Sequence, residues 1–538
     1  MGISFLPKLR FATGIGALAL FTSCAENLDD ANWDIDLLAP LLTTRLELSN
    51  LLPDTILVAD SEGRLRLIID RPLIDLNIDS LIELPDTTII QNLTVPFALT
   101  DIAPGYVIPA LNNFSRYDLG ELQLKRVIVK SGSLKVRVKN FLPTDVILQY
   151  SLPYATLNGA PLILSERVTA GGPQAGFYEF TLDLTGYDMD LRGPNANSWN
   201  RLDVSYSLQT APDGIVVTVP ANEEFFTIEY ELQSLIPHYV TGYFGQQTSS
   251  SPGENTPIDA LRNFTSGQLM LDSVTIDLDV ENGLGADGVF NFNALRSKNT
   301  RSGNTIDLSY PPLIGTPLQL TRAMDMNGTP GGVLAQKLSF KLDNSTSNVK
   351  AFIENLPDQL EFDIGFIINP LGNVSASQDF LYYDRPFRTN MRIDIPLRAR
   401  VDGLTLVDTL DWDLGATGVA ADINSTNLKI RVINGFPLSA EPLLTLLDSM
   451  GNPLTQVMAG GMVSAPTLDV NGKVATPLES IVPLILTTEA AELLPQTRKV
   501  EIRMVFNTTD QPNLVQLYDG YALDVKIFGN INYQVNGQ

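Results

Sequence analysis

One cysteine and one histidine in 538 residues remove most of the common catalytic chemistries. A lone Cys24 forbids an intrachain disulfide and every zinc site built from several thiolates. A lone His238 allows one imidazole-dependent catalytic unit at most and no two-histidine metal site. Basic residues are scarce, 36 Lys and Arg against 61 Asp and Glu, for a net charge of −25. A chain this acidic, without clustered Lys and Arg, repels polyanions, so nucleic acid is excluded as a partner. The three tryptophans, Trp33, Trp199 and Trp412, are too scattered for a sugar-stacking platform. No segment reaches the roughly 18 consecutive apolar residues of a membrane-spanning helix.

What the sequence does have is β-pattern. Hydrophobic residues make up 44%, enough to bury several cores, and the length calls for about three or four domains. Apolar and polar residues alternate in short runs bounded by Gly, Pro, Asn and Asp. The runs are shorter than the roughly 9–11 residues of a transmembrane barrel strand. No long amphipathic helix is expected; the best short candidates are residues 441–448 and 488–494, with a helical turn at residues 46–52.

The N-terminus carries a basic pair, Lys8 and Arg10, then an apolar stretch at residues 11–21, then Thr22, Ser23 and Cys24. The stretch is too short to span a membrane. The arrangement resembles a bacterial lipoprotein signal peptide ending in a lipobox, of the Bacteroidota type. Phe21 stands where leucine is usual, one position after Leu20. The resemblance implies cleavage after Ser23 and a diacylglycerol thioether on Cys24, with anchoring in the outer membrane. Loss of Lys8 and Arg10 takes the charge from −25 to −27. The acidic residues that follow, Glu26, Asp29 and Asp30, resemble the surface-export signal of such lipoproteins.

Internal repetition organises the rest. Leu134 to Pro143 (LKVRVKNFLP) is echoed by Leu428 to Pro437 (LKIRVINGFP), and more weakly by Val274 to Leu284 (VTIDLDVENGL). Each run has one aliphatic face and ends at an asparagine, Asn140, Asn282 or Asn434, a residue that tolerates the left-handed conformation of a turn. A second alternating strand follows each copy around Val204, Phe362 and Ile502, and a third around Ile228, Ile393 and Val525. Three landmarks in one order, three times, indicate triplication. Val136 to Gly159 resembles the water-stress (late-embryogenesis-abundant type) β-sandwich domain. The likeness rests on an alternating strand, Asn140 with Pro143, a second apolar strand at Val146/Leu148/Tyr150, and the Asn158-Gly159 hairpin. That resemblance implies an immunoglobulin-like sandwich and no activity.

The expected fold is therefore all-β, with tandem immunoglobulin-like sandwiches after a lipoprotein signal peptide. The expected segments are a signal peptide at 1–23 and an N-terminal β region at 24–118, either a small β domain or strands that complete the first sandwich. Repeat one follows at 119–244, then a polar linker at 245–257 (the run GQQTSSSPGENTP). Repeats two and three occupy 258–414 and 415–538.

Candidate residues for chemistry are few. His238 reads as a domain-edge histidine among aromatics beside the linker. Most carboxylates, such as Asp277, Asp279, Asp363 and Asp394, occupy the polar positions of alternating strands and read as a solvated face. Asp188-Met189-Asp190, Asp325-Met326-Asn327-Gly328 and Asp411-Trp412-Asp413 are thin calcium candidates without the helix–loop pattern of a cation loop. Phe380 to Tyr383 with Phe387 is the densest aromatic group, and packing is its simplest reading. Asp-Ser/Thr pairs such as Asp54-Thr55 and Asp86-Thr87 resemble the O-glycosylation motif of Bacteroidota envelope proteins. The expectation is a non-catalytic, lipid-anchored surface protein with no metal and no cofactor. It would bind the membrane through Cys24 and take an envelope protein or glycan as partner. The alternatives are a carboxylate-based glycan hydrolase, which needs two acids about 5–9 Å apart in a cleft, and a hydrophobic-ligand carrier, which needs an apolar cavity.

Overall fold

The computed structural model describes residues 32–48, 55–76, 82, 84–172, 174–258, 261, 267–326, 332–385, 387–412, 423–508 and 513–536. It is all-β, and its strands lie in packed antiparallel sheets around a continuous apolar core. Strands such as Arg201–Thr210 and Lys499–Asn507 alternate strictly between buried and half-exposed positions. Their apolar residues recur every second position, which places all of them on one face of a pleated strand.

Three long strands of the leading segment are β1 (Asn32–Glu47), β2 (Leu65–Leu76) and β3 (Thr87–Thr94). The first repeat supplies β4 (Val107–Arg116), β5 (Gln123–Asn140), β6 (Val146–Leu157), β7 (Ala160–Val168), β8 (Gly176–Asp183), β9 (Arg201–Thr210) and β10 (Glu224–Tyr243). The second supplies β11 (Gln247–Pro257), β12 (Thr275–Asn282), β13 (Gly288–Asn299), β14 (Asn304–Asp307), β15 (Gln336–Leu342), β16 (Gln359–Ile368), a connecting strand β17 (Asp379–Tyr382) and β18 (Phe387–Pro396). The third supplies β19 (Leu404–Asp411), β20 (Ile423–Asn434), β21 (Ser439–Leu447), β22 (Pro453–Ala459), β23 (Leu478–Ile485), β24 (Lys499–Asn507) and β25 (Ala522–Asn536).

The three copies share one topology. In one sheet the Asn-bearing strand lies beside the third landmark strand, with Asn140 opposite Phe226, Asn282 opposite Phe387 and Asn434 opposite Leu523. On its other side Asn140 faces Gly176, Asn282 faces Gln336 and Asn434 faces Leu478. The second sheets run β4-β9-β6-β7, β11-β16-β13-β14 and β19-β24-β21-β22. The Asn158-Gly159 hairpin joins β6 to β7 with both residues at positive φ, 51° and 82°. Its backbone twist thereby matches that of the flanking strands.

The repeated asparagines do something other than turn the chain. None has positive φ, and all three are fully buried. The Asn140 carbonyl accepts from Leu142 N–H at 3.0 Å, and its amide donates to Thr144 O at 2.8 Å and Thr169 O at 2.9 Å. Asn434 accepts from Phe436 N–H at 2.9 Å and donates to Leu438 O at 2.8 Å and Ser464 O at 2.9 Å. Asn282 accepts from Leu284 N–H at 3.0 Å and donates to Thr321 O at 2.8 Å. Each side chain is a peg that satisfies buried backbone groups at a strand end, where the ladder no longer can.

The expected segmentation needs correction at its N-terminal side. Residues 24–118 do not form a domain of their own in the described part. β1 pairs with β25 of the third sandwich, β2 with β18 of the second and β3 with β10 of the first. The register repeats as well: Leu46 faces Leu523, Leu76 faces Phe387 and Leu93 faces Phe226. The leading segment thus donates the outer strand of each asparagine sheet, in reverse order along the chain. Asn32 stands opposite Asn536, so the first and last described strands are neighbours.

The polar run expected as a linker is also structured. Residues 247–257 form β11, an edge strand hydrogen-bonded to β16 with a register shift between Ser251 and Glu254. An edge strand needs only backbone pairing, and a bulge at its Pro-Gly step accommodates proline. Residues 441–448 lie almost wholly within β21 rather than a helix, because both faces of this apolar run are buried. The other short helix is present as α1 (Thr488–Leu493), capped by the Thr487 hydroxyl, which accepts from Ala490 N–H at 3.1 Å. Strands also exceed the expected length: β5 has 18 residues and β10 has 20. Their ladder breaks midway, where Gly132 has φ of 143° and a Cβ would lie 2.9 Å from Leu235 Cα.

Candidate functional site

Cys24, the expected lipidation site, lies outside the described residues. His238 sits in mid-strand in β10 rather than beside a flexible linker. It is half-buried, and its carbonyl accepts from Tyr383 N–H at 2.9 Å. The far half of β10 stays paired with β5, Tyr239 opposite Ile128, and on its other side pairs with β17, Tyr239 opposite Tyr382. Two groups of polar residues meet at this junction of repeats one and two.

In the first, Asp325 accepts hydrogen bonds from the Tyr239 hydroxyl at 2.8 Å and the Tyr382 hydroxyl at 3.2 Å. The two rings lie 4.4 Å apart, packed with Phe380 and Ala323. Arg126 lies 5.8 Å from the Tyr239 ring and is held by both oxygens of Asp188, at 2.8 and 2.7 Å. Burial, then the charge of Asp325 and its hydrogen bond, push the Tyr382 phenol up to about 12. Burial and the bond to Asp325 push Tyr239 further. Both phenols are neutral donors at pH 7, so Asp325 acts as an acceptor that ties the two repeats together.

In the second, the fully buried Asp379 accepts from Phe244 N–H at 3.1 Å and from the Asn369 amide at 2.8 Å. Asn369 also donates to Gly245 O at 3.2 Å. The Arg322 guanidinium lies 3.7 Å from the other Asp379 oxygen. The segment leaving β10 is therefore clamped. The sequence carries no mark of this role beyond the position of Asp379 beside the aromatic run.

The remaining sequence candidates are occupied by neighbours. Asp188 pairs with Arg126 and Asp190 with Arg192, at 2.7 and 2.6 Å. Trp412 is buried, and Asp413 lies outside the described residues. Phe380, Tyr382 and Phe387 are buried, while Tyr383 packs under the Lys130 ammonium. Among the described residues no three His, Cys, Asp or Glu side chains converge as a metal site would require. No helix of the described residues is long and apolar enough to cross a membrane.

Two concavities bear on the alternative functions. A groove of about 660 Å³ lies on the outer face of the second asparagine sheet, lined by Asp70, Arg71, Asp277, Asp279, Lys341 and Arg392. Its strands alternate in charge: Asp70 faces Arg392, which faces Asp277, which faces Lys341. Asp70 and Arg392 approach to 3.1 Å, and Asp279 accepts from the Ser339 hydroxyl at 2.6 Å. Between the second and third sandwiches lies an apolar cavity of about 60 Å³, lined by residues including Leu67, Leu269, Ile395, Val401 and Phe506. Ligand pockets hold roughly 300–1,000 Å³, so this space is a packing defect in scale.

No family model and no curated protein matches the sequence. Among solved structures, the chain is similar to a protein of Parabacteroides distasonis provisionally described as secreted. The identity is 12% over 52% of this chain and 82% of the other, with a TM-score of 0.27. Two structures of infectious bursal disease virus, the VP2 subviral particle and the Gx strain, align at 11% and 10% identity. They cover 91% of this chain and 89% and 90% of theirs, with TM-scores of 0.11 and 0.12. Superpositions this loose carry no argument about function.

Proposed function

We propose that the chain is a non-catalytic cell-envelope protein, held to the outer membrane by lipid on Cys24, that acts as a binding or structural scaffold. The observation that carries this reading is the attachment of the leading segment. β1 begins eight residues after Cys24 and is hydrogen-bonded along nearly its whole length to the last strand. A tether at Cys24 therefore pulls on a body whose leading segment is woven into all three sandwiches. The basic, apolar, small-residue, cysteine order of residues 8–24 supports the lipid itself, and two or three acyl chains anchor stably where one does not.

Broad sheet faces lined with cross-strand ion pairs suit a scaffold that meets an envelope protein or glycan. Arg137 bridges Glu179 at 2.9 Å and also pairs with Glu229, and Arg66 holds Asp394 through two bonds. In the groove, Asp70 faces Arg392 and Asp277 faces Arg392 and Lys341 across the ladder, which continues the same ion-pair pattern. The test is Cys24→Ser. The wild type should incorporate palmitate and fractionate with membranes, whereas the variant should lose the label and appear in the soluble fraction. Unchanged labelling of Cys24→Ser would sink the anchored-scaffold reading.

A further inference from the structure

The third sandwich differs from the other two along one strand. Registration on the three asparagines makes β8, β15 and β23 equivalent. Counting from the residues opposite those asparagines, the outward positions hold Phe177, Glu179, Thr181 and Asp183 in the first copy and Lys337, Ser339, Lys341 and Asp343 in the second. In the third they hold Glu479 and then three apolar residues in succession, Ile481, Pro483 and Ile485. Ile481 is 53% exposed and Ile485 57%. Ile485 stands opposite Met458, itself 64% exposed, across the β22–β23 ladder. Three sandwiches with one topology thus provide an internal control, because the solvent-facing position itself does not demand isoleucine. Exposed apolar rows of this kind mark interaction surfaces.

The row is flanked by cations as well as acids. Lys429 faces Pro483 and Arg431 faces Ile481, with Lys526 on the next strand opposite Arg431. The nearby acids are Glu479, paired with Arg431 at 2.6 Å, and Asp524 and Glu47, paired with Arg45 at 3.2 and 2.5 Å, with Glu489 and Glu492 on α1, which leaves Lys429 and Lys526 as the cations of the face outside an ion pair among the described residues. The row also lies toward the tethered end. Ile485 is level with Asn427, which pairs with Asn530, which pairs with Leu38. Asn32 is six residues further along β1, about 20 Å. The eight residues back to Cys24 span about 29 Å at most.

We infer that this face of the third sandwich rests on the phospholipid surface into which Cys24 is anchored. Ile481, Pro483, Ile485 and Met458 lie at headgroup level, and Lys429 and Lys526 meet lipid phosphates. The inference rests on the lipidation of Cys24 for its geometry, and its test separates the two.

Acylation consumes the only native thiol, so Ile485→Cys offers a unique labelling site, and Asp183→Cys offers the equivalent control on the first sandwich. Each carries an environment-sensitive fluorophore on the acylated chain in vesicles of phosphatidylethanolamine and phosphatidylglycerol. The label at 485 should shift to the blue and be quenched by nitroxide-bearing lipid, and the label at 183 should not. In a second arm, the unacylated Cys24→Ser chain is sedimented with the same vesicles, and Ile481→Asp with Ile485→Asp should weaken partitioning about ten-fold.

A label at 485 that stays water-like on vesicle-bound protein overturns the inference and leaves the anchor standing. Failure of acylation with sedimentation that still depends on Ile481 and Ile485 overturns the anchor and keeps the face. Association of two chains through these residues in the absence of vesicles assigns the face to a second copy and overturns the lipid assignment.

Discussion

At the scale of single residues, the fold turns on Asn140, Asn282 and Asn434. Their value lies in having both a carbonyl and a two-donor amide, which backbone groups at the ends of the strands require. Asn434→Ala leaves Phe436 N–H and the Leu438 carbonyl without this partner in the core, and takes a partner from the carbonyl of the more exposed Ser464. Each buried unpaired group costs about 1–3 kcal/mol, so a loss of about 3 kcal/mol or more is expected in urea unfolding. Asn434→Asp should be at least as damaging, because it points a carboxylate at two carbonyl oxygens. Were the asparagine needed only for a turn, aspartate would serve, and a near-neutral Asn434→Asp would refute the peg.

At the scale of elements, the donated strands decide how each sandwich is closed. β1 covers the edge of β25, β2 that of β18 and β3 that of β10. An uncovered edge presents unpaired backbone groups and loses the cross-strand contacts that stabilise a sheet. Deleting residues 24–47 should therefore act on the third sandwich alone. Amides of residues 523–529 should lose hydrogen-exchange protection, while those of β5 and β10 keep theirs. Equal loss in the first sandwich would mean that β1 does not act as the private edge strand of the third. Polar β11 is the complementary case, an edge strand with little apolar content that holds its place through the β16 ladder.

At the scale of the whole molecule, the nested order binds the repeats together. A cut in residues 251–254, within the bulge of β11, separates the sequence into halves without freeing them. The N-terminal piece keeps β1 in the third sandwich and β2 in the second. Tyr239 and Tyr382 also remain joined through Asp325. After insertion of a protease site there and cleavage, the two pieces should run apart on a denaturing gel yet coelute at the intact size and melt in one transition. Dissociation into two folded fragments in native buffer would refute the nested arrangement.

How much of this was legible in the sequence follows the range of the interactions. Alternation at period two is local, so the sequence alone determined the all-β class, the triplication and its three landmark strands. It also determined the Asn158-Gly159 hairpin, the capped helix beginning at Thr488 and the position of the repeated asparagines. Which strand pairs with which is a contest among edges far apart in sequence. The leading segment reads as a small domain or as strands of the first sandwich, because nothing local says that Leu46, Leu76 and Leu93 each face a different repeat. The run at 247–257 looked like a linker because an edge strand is held by backbone hydrogen bonds, which composition does not record. The same limit applied to Asp325 and Asp379, whose neighbours arrive from other repeats. Only the tertiary structure decided those pairings, because they are fixed by the mutual burial of surfaces that exist only once the sheets have formed.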